Sequence, residues 1–286
     1  MAARAALFAT RSLSLRALKR LGRLLGGACH LVGGPPRRTA LSNVARVFPS
    51  WAPSEQRALV RRVYLNLGEA LGETIAILHG RDSPGPMPLS PDARRVLRSA
   101  LGAGRGVLFA SAHLGPWERV AWSLLAAGIP LTAVVRESYD PRFAVIYRRL
   151  RARTGLPVID RGAPGAAFAI VRTLRAGRVL GIQMDLKARV PCRMVPFLGI
   201  AAPTAIGPAL IALRTGAPVV VGTAALDDEG APVVTATLVA TDDLRADPGG
   251  VLELTRRINA ELSARVLRLP EAWVWPHDRW TNTERL

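Results

Sequence analysis

The sequence predicts an α/β fold, with a mainly parallel or mixed central sheet, helices on both faces, and an N-terminal helical region before it. From residue 92 onward, short apolar runs alternate with helical stretches, the order typical of a layered α/β fold. These runs are rich in Val, Leu and Ala without strict polar alternation, as a sheet covered on both faces requires. Before residue 80, apolar residues recur at three- and four-residue steps, which predicts helices.

The N-terminal segment carries much of the positive charge. The chain has 39 Lys and Arg against 21 Asp and Glu, a net charge of +18, and no acid precedes Glu55. Apolar and basic side chains fall on opposite sides of one helix: Leu18, Leu21, Leu25, Ala28 and Val32 against Arg16, Lys19, Arg20 and Arg23. We therefore predict that residues 1–34 form a basic amphipathic anchor lying in the membrane surface. The alternative is a helix packed on the protein's own core.

The next segments follow from helix and loop signals. Residues 35–81 are predicted to be helical, with a start at Pro53-Ser54-Glu55 and an end near Gly80. Residues 82–91 hold five prolines or glycines and are predicted to be a linker. Residues 92–286 are predicted to form the α/β domain. Its strands are expected at 106–112, 130–135, 179–184, 218–224 and 233–239, and its helices at 118–127, 141–153, 165–176 and 204–215.

The sharpest chemical signal is His113 followed by Glu118, where a buried strand ends and a helix begins. On one continuous helix, residues five apart point about 140° away from each other, but Gly115 and Pro116 interrupt the helix. Glu118 is therefore expected to accept a hydrogen bond from one ring nitrogen, which leaves the other free to act as a general base. The alternative is a structural histidine that caps the helix.

No covalent nucleophile accompanies this pair. The chain has no Gly-x-Ser-x-Gly turn, and Cys29 and Cys192 form neither a disulfide framework nor a cysteine-based zinc site. We therefore predict no bound metal, and direct attack of a substrate hydroxyl on an activated acyl group.

The chain resembles the bacterial lipid A biosynthesis (lauroyl/myristoyl) acyltransferases, which share the HX4(D/E) motif that His113 and Glu118 match. Other elements in the family's order are similar: residues 43–49, 135–136, 149–151, 159–161, 184–185 with 195–199, 214–219, and 270–280. The chain departs from the family where Lys187 follows the Asp185 element and where the N-terminal anchor is more polar.

The resemblance implies transfer of a fatty acyl chain from acyl carrier protein or coenzyme A to a hydroxyl of an anionic glycolipid, such as a lipid A precursor. No bound cofactor is implied. His113 would be the base and Glu118 its orienting group. Arg149 and Asp185 match catalytic or substrate-binding positions, and Arg136 and Arg161 would hold phosphate or polarise the thioester. The protein would lie at the cytoplasmic face of the inner membrane, peripheral or anchored by its N-terminus, with anionic lipids as partners.

Three other functions compete with this one. The same mechanism could act on another lipid or sugar acceptor, and an inactive member could serve as a membrane scaffold. The high positive charge also suits a nucleic-acid-binding protein. However, the sequence has no recognisable nucleic-acid-binding motif, and the basic residues are concentrated in an amphipathic helix. We therefore expect no nucleic-acid partner. Near the C-terminus, Trp273, Trp275 and Trp280 are expected to close the core rather than form a membrane belt, with His277 structural.

Overall fold

A computed structural model describes residues 8–80, 82–136, 141–187 and 190–280. The predicted segments 1–34, 35–81 and 92–286 each include residues outside these ranges. The chain divides into two compact units. The first comprises Met1–Pro86, Glu137–Gly155 and Pro270–His277, and the second comprises Met87–Arg136, Leu156–Leu269 and Asp278–Leu286.

The first unit is helical. Its helices are α1 (Leu15–Val32), α2 (Pro35–Val47), α3 (Pro53–His79) and α6 (Pro141–Thr154), followed by a 3-10 turn at Pro270–Ala272. The side chain of Ser14 caps α1 by accepting a hydrogen bond from the backbone N–H of Ala17, and α3 ends at Gly80, whose φ of 68° suits glycine. The predicted end of this helix near Gly80 is therefore confirmed.

Helix α1 packs along α3 at very short range. A Cβ atom on Gly22 would lie 2.0 Å from the carbonyl oxygen of Gly68, and one on Gly26 would lie 2.1 Å from that of Tyr64. Only glycine permits two helix backbones to approach this closely. The amino group of Lys19 also lies 2.9 Å from the carboxylate of Glu69, so ion pairs flank the glycine contact.

The C-terminal turn closes the core of the first unit. Trp273 and Trp275 are fully buried, and their rings meet edge to face with centroids 5.0 Å apart. Asn43 donates hydrogen bonds to the backbone carbonyls of Trp275 and His277 at 2.9 and 2.8 Å. Trp280, in the second unit, is also buried. The prediction that the three tryptophans close the core is confirmed.

The second unit is built on a six-stranded sheet in the order β3-β2-β4-β1-β7-β8, parallel except that β8 runs antiparallel to β7. The strands are β1 (Val107–Ser111), β2 (Leu131–Val135), β3 (Val158–Asp160), β4 (Val179–Gln183), β7 (Val219–Leu226) and β8 (Pro232–Val239). Strands β5 (Cys192–Phe197) and β6 (Ile200–Ala205) form a separate antiparallel pair. The helices are α4 (Pro91–Gly102), α5 (Trp117–Ala126), α7 (Ala166–Arg175), α8 (Gly207–Thr215) and α9 (Pro248–Arg268).

This architecture confirms the predicted fold class, since helices cover both sides of a mostly parallel sheet. Strand β1 lies near the middle of the sheet and is buried along its whole length, as its apolar sequence predicts. A Cβ on Gly222 of β7 would lie 2.4 Å from the Phe109 ring, so this glycine makes room for the ring within the sheet. The core thus holds β1 rigidly, which matters because β1 ends at the candidate site.

One predicted element is wrong at its start. Residues 204–215 were expected to form a single helix, but Thr204 lies in strand β6 and α8 begins at Gly207, with Pro208 in its first turn. Thr204 is buried, and its hydroxyl accepts hydrogen bonds from Asn259 and Arg279. These tertiary contacts and the helix-starting proline override the local helical pattern.

Within the described ranges, no helix combines the length and the apolar character needed to cross a membrane.

Candidate active site

His113 lies just beyond the carboxyl end of β1. The hydroxyl of Ser111 donates a hydrogen bond to the carbonyl of Gly222 on β7 at 2.7 Å, which fixes the last residue of the strand. Gly115 then turns the chain with a φ of 60°, and Pro116 caps the start of α5. The imidazole is about a quarter exposed, so a substrate can reach it.

Asp185 reaches the same place from the neighbouring strand. Strands β1 and β4 are parallel, with Ser111 opposite Gln183, so the residues that follow both strands emerge side by side. One carboxylate oxygen of Asp185 accepts a hydrogen bond from the backbone N–H of His113 at 2.8 Å, and the other lies 2.9 Å from its Nδ1. Asp185 is fully buried, so this two-point contact holds the histidine in one orientation.

The contact also selects the tautomer of the imidazole. An ionised carboxylate can only accept hydrogen bonds, so the proton of the neutral ring must lie on Nδ1. The lone pair is then on Nε2, the nitrogen on the far side of the ring. The Trp117 ring meets the imidazole edge to face, with centroids 5.3 Å apart, and restricts it further. In this arrangement Nε2 can accept a proton, so His113 is a candidate general base.

Glu118 lies in the first turn of α5, partly buried, where the positive end of the helix dipole favours a carboxylate. The carboxylate in contact with Nδ1 is that of Asp185, so the sequence pattern did not identify the group at this nitrogen. The two residues are 72 positions apart, and no spacing rule links them. The only sequence signal for Asp185 is the resemblance, which matches it to a catalytic or substrate-binding position.

The predicted arginines Arg136 and Arg161 follow strands at the same edge. Arg136 comes directly after β2 and Arg161 directly after β3, and the backbone N–H of Arg161 donates to the carbonyl of Val135 at 2.8 Å. In the order β3-β2-β4-β1, four adjacent parallel strands thus deliver Arg161, Arg136, Asp185 and His113 to one edge. Neighbouring strands are about 4.8 Å apart, so the edge spans the size of a substrate headgroup. Arg149 belongs to the first unit, where it is exposed on α6.

A buried cation lies behind this edge. Arg279 is fully buried, donates to the carbonyl of Pro203 and to the hydroxyl of Thr204, and lies over the Phe197 ring at 5.1 Å. Burial lowers the pKa of Arg279 to about 10, and the opposing attraction of Asp185 limits the shift. The terminal motif contained Arg279, but its pattern gave no sign of this burial.

Among the described residues, no group of three or more His, Cys, Asp or Glu side chains is placed to hold a metal ion. The ionisable groups at the sheet edge are instead a histidine, an orienting carboxylate and arginines. Such a set can remove a proton from a hydroxyl beside an anionic substrate, which is the chemistry of an enzyme that uses a general base without a covalent nucleophile.

The chain belongs to the bacterial lipid A biosynthesis acyltransferase family, whose model matches residues 2–282. This confirms the resemblance, and membership makes the protein an acyltransferase. A comparison with curated proteins finds no match.

Proposed function

We propose that the protein transfers a fatty acyl chain from an acyl carrier protein or coenzyme A thioester to a hydroxyl of an anionic glycolipid resembling a lipid A precursor. The observation that carries the proposal is the two-point contact between Asp185 and His113 at the carboxyl edge of the sheet. It supplies the oriented base that direct transfer to a hydroxyl needs. Family membership supplies the acyl chemistry.

The transfer proceeds in two steps. Nε2 of His113 takes the proton of the acceptor hydroxyl while its oxygen attacks the thioester carbonyl. The tetrahedral intermediate then collapses, the carbon–sulfur bond breaks, and the thiolate leaves with the proton from the imidazolium. Asp185 stabilises the imidazolium between these steps, because its buried charge faces Nδ1. Glu118, in the adjacent helix turn, adds a second negative charge.

The arginines bind the anionic parts of the substrates. Arg136 and Arg161 grip phosphate or polarise the thioester carbonyl, since the planar guanidinium offers two parallel donors. Arg149 is included among the substrate-binding residues on the family resemblance alone. The same mechanism with another lipid or sugar acceptor is the second candidate, because nothing in these contacts distinguishes one hydroxyl from another.

The protein acts at the cytoplasmic face of the bacterial inner membrane, either as a peripheral protein or anchored by its N-terminus. The support for this is on α1, where large apolar side chains are exposed at Leu21, Leu24, Leu25, Leu31 and Val32. Arg16 and Arg20 are exposed on the same helix, and basic side chains are attracted to anionic lipids. Residues 1–7 of this segment lie outside the described residues.

The test is mass spectrometry of lipids from cells with and without the gene. We expect the deletion to remove one acyl group from one glycolipid, and the mass difference to give the chain length. A complementing gene with His113→Ala should not restore it. An unchanged lipid profile, with the deletion verified, would contradict the proposal. Transfer to a purified acceptor from each thioester then identifies the donor.

A further inference from the structure

Three polar side-chain atoms with no hydrogen-bond partner among the described residues lie at the corner where α1 meets α2 and α3. They are Nδ1 of His30, Oη of Tyr64 and Nε of Arg37. The His30 and Tyr64 side chains are more than nine-tenths buried, and their rings lie 5.5 Å apart between centroids. Buried polar atoms in proteins are almost always hydrogen-bonded, to the protein or to a bound molecule, so three in one place mark a candidate binding site.

The chain is shaped to bring Arg37 to this corner. Gly33 and Gly34, with φ of 77° and 90°, reverse the chain between α1 and α2. The Arg37 side chain then folds back over Gly33, with its Nη1 atom 3.4 Å from the position of a Cβ on that glycine. A larger residue at Gly33 would meet the guanidinium, so the turn and the arginine fit each other.

The charge of the corner favours an anion. Burial lowers the pKa of His30, and the positive charges of Arg37 and Arg61 lower it further. Burial raises the pKa of Tyr64, so its hydroxyl keeps its proton and can donate. No carboxylate occurs in the sequence before Glu55. The Tyr64 hydroxyl and the Arg37 Nε–H are thus donors in a positive field, which suits an oxyanion.

The surroundings indicate that the oxyanion is attached to an apolar molecule. Leu31 and Val32, directly after His30, are 81% and 88% exposed, and Leu24 on the same helix is 72% exposed. Free phosphate would leave the exposed aliphatic side chains beside its site in water, whereas the acyl chains of a phospholipid would cover them. We propose that the corner formed by His30, Arg37 and Tyr64 binds the phosphate of an anionic membrane lipid, whose acyl chains cover Leu31 and Val32.

Vesicle binding of the full-length protein tests this site. The probes are vesicles of phosphatidylcholine and vesicles in which phosphatidylglycerol replaces part of it. Tyr64→Phe removes only the unpaired hydroxyl and should weaken binding to the phosphatidylglycerol vesicles about tenfold, the value of a hydrogen bond to a charged group. Its matched control is Tyr147→Phe on α6, which should bind like the parent.

Two arginine variants separate the site from general attraction. Arg37→Gln and Arg38→Gln each remove one charge from α2, but only Arg37 has a buried Nε without a partner. Arg37→Gln should therefore weaken binding clearly more than Arg38→Gln. Equal losses in this pair would overturn the proposal, as would parent-like binding by Tyr64→Phe. Inorganic phosphate could also raise the unfolding temperature of the parent protein as much as phosphatidylglycerol vesicles do. That result would overturn the lipid assignment and identify free phosphate as the ligand.

Folding and activity are checked separately. Without lipid, Tyr64→Phe should unfold at the parent temperature or above it, because the lost hydroxyl has no hydrogen-bond partner among the described residues. Transfer to a detergent-dispersed acceptor should be unchanged in Tyr64→Phe. The site does not depend on the acyl-transfer proposal, so a failure of one leaves the other intact.

Discussion

The two units of the chain differ in how deeply they bury charged side chains. In the first unit, Lys19 and Arg23 on α1 form partly exposed ion pairs with Glu69 on α3. In the second unit, Asp185 and Arg279 are fully buried. Partly exposed pairs contribute little to stability, whereas a buried charge must be fully satisfied. We propose that the buried Asp185 serves the reaction, and that the exposed cations of α1 serve contact with the surroundings.

The largest effect is expected from the base of the second unit. His113→Ala should reduce acyl transfer by about 100- to 10,000-fold, the contribution of a positioned proton transfer. Steady-state transfer to a soluble or detergent-dispersed acceptor measures it, with circular dichroism to verify the fold. Glu118→Gln should reduce the transfer rate less, since the carboxylate in contact with Nδ1 of His113 is that of Asp185. Near-parental turnover by folded His113→Ala would remove the histidine from the mechanism.

The next effect concerns the backbone contact of the first unit. Gly22→Ala places a Cβ 2.0 Å from the Gly68 carbonyl oxygen, so it should lower the free energy of unfolding by about 1–3 kcal/mol or more. Urea unfolding of the full chain measures this change.

Gly27→Ala on the same helix is the matched control, because its Cβ would meet only a Leu65 side-chain atom at 3.5 Å. Gly27→Ala should leave the free energy of unfolding unchanged, or raise it by about 0.5–1 kcal/mol because alanine has the higher helix propensity. If the two variants behave alike, the close approach of α1 to α3 is wrong.

Much of the fold could be predicted from sequence because each central strand is a continuous apolar run. Strand β1 between Val107 and Ser111 is the clearest example. Strand β3 has only three residues and was not predicted, since so short a run carries no periodicity. The close packing of α1 on α3 could not be predicted from the glycines of α1 either, because it depends on a partner helix about 45 residues away in the sequence.

The candidate site was predictable in part for the same reason. His113 was found because its strand and helix lie next to it in the chain. The contact with Asp185 depends on the order in which strands join the sheet, which places β4 beside β1. Strand order is a tertiary property, and no local pattern around either residue encodes it.

Exposed charges of α1 should affect membrane binding. Arg16→Gln with Arg20→Gln should weaken binding to anionic vesicles by about 30-fold, on the order of 1 kcal/mol per cation. Stability should be unchanged, because both side chains are exposed.

Lys19→Gln with Arg23→Gln removes the same number of charges but breaks the pairs with Glu69. This variant should also lower the free energy of unfolding, by about 0.2–1 kcal/mol per pair. Vesicle sedimentation and thermal unfolding give the two readouts. A parental vesicle affinity in the Arg16 and Arg20 variant would contradict the role of α1 at the membrane.

A smaller effect is expected at the sheet edge. Arg161→Lys keeps the charge but loses the two-point grip, so the KM for the anionic substrate should rise about tenfold with little change in stability. An unchanged KM would show that Arg161 supports the structure only. Arg193→Lys, on β5, is a suitable control for the same substitution at an exposed position.

The central claim is that Asp185 orients His113 and stabilises its imidazolium, and Asp185→Asn tests it most directly. The amide replaces one accepting oxygen with a donor, so it cannot serve both the backbone N–H and Nδ1 of His113. The measurement is the single-turnover rate of acyl transfer by this variant beside Glu118→Gln, both verified as folded. We expect a loss of at least about 100-fold for Asp185→Asn, and a smaller one for Glu118→Gln. A folded Asp185→Asn enzyme with the parental rate would contradict the account.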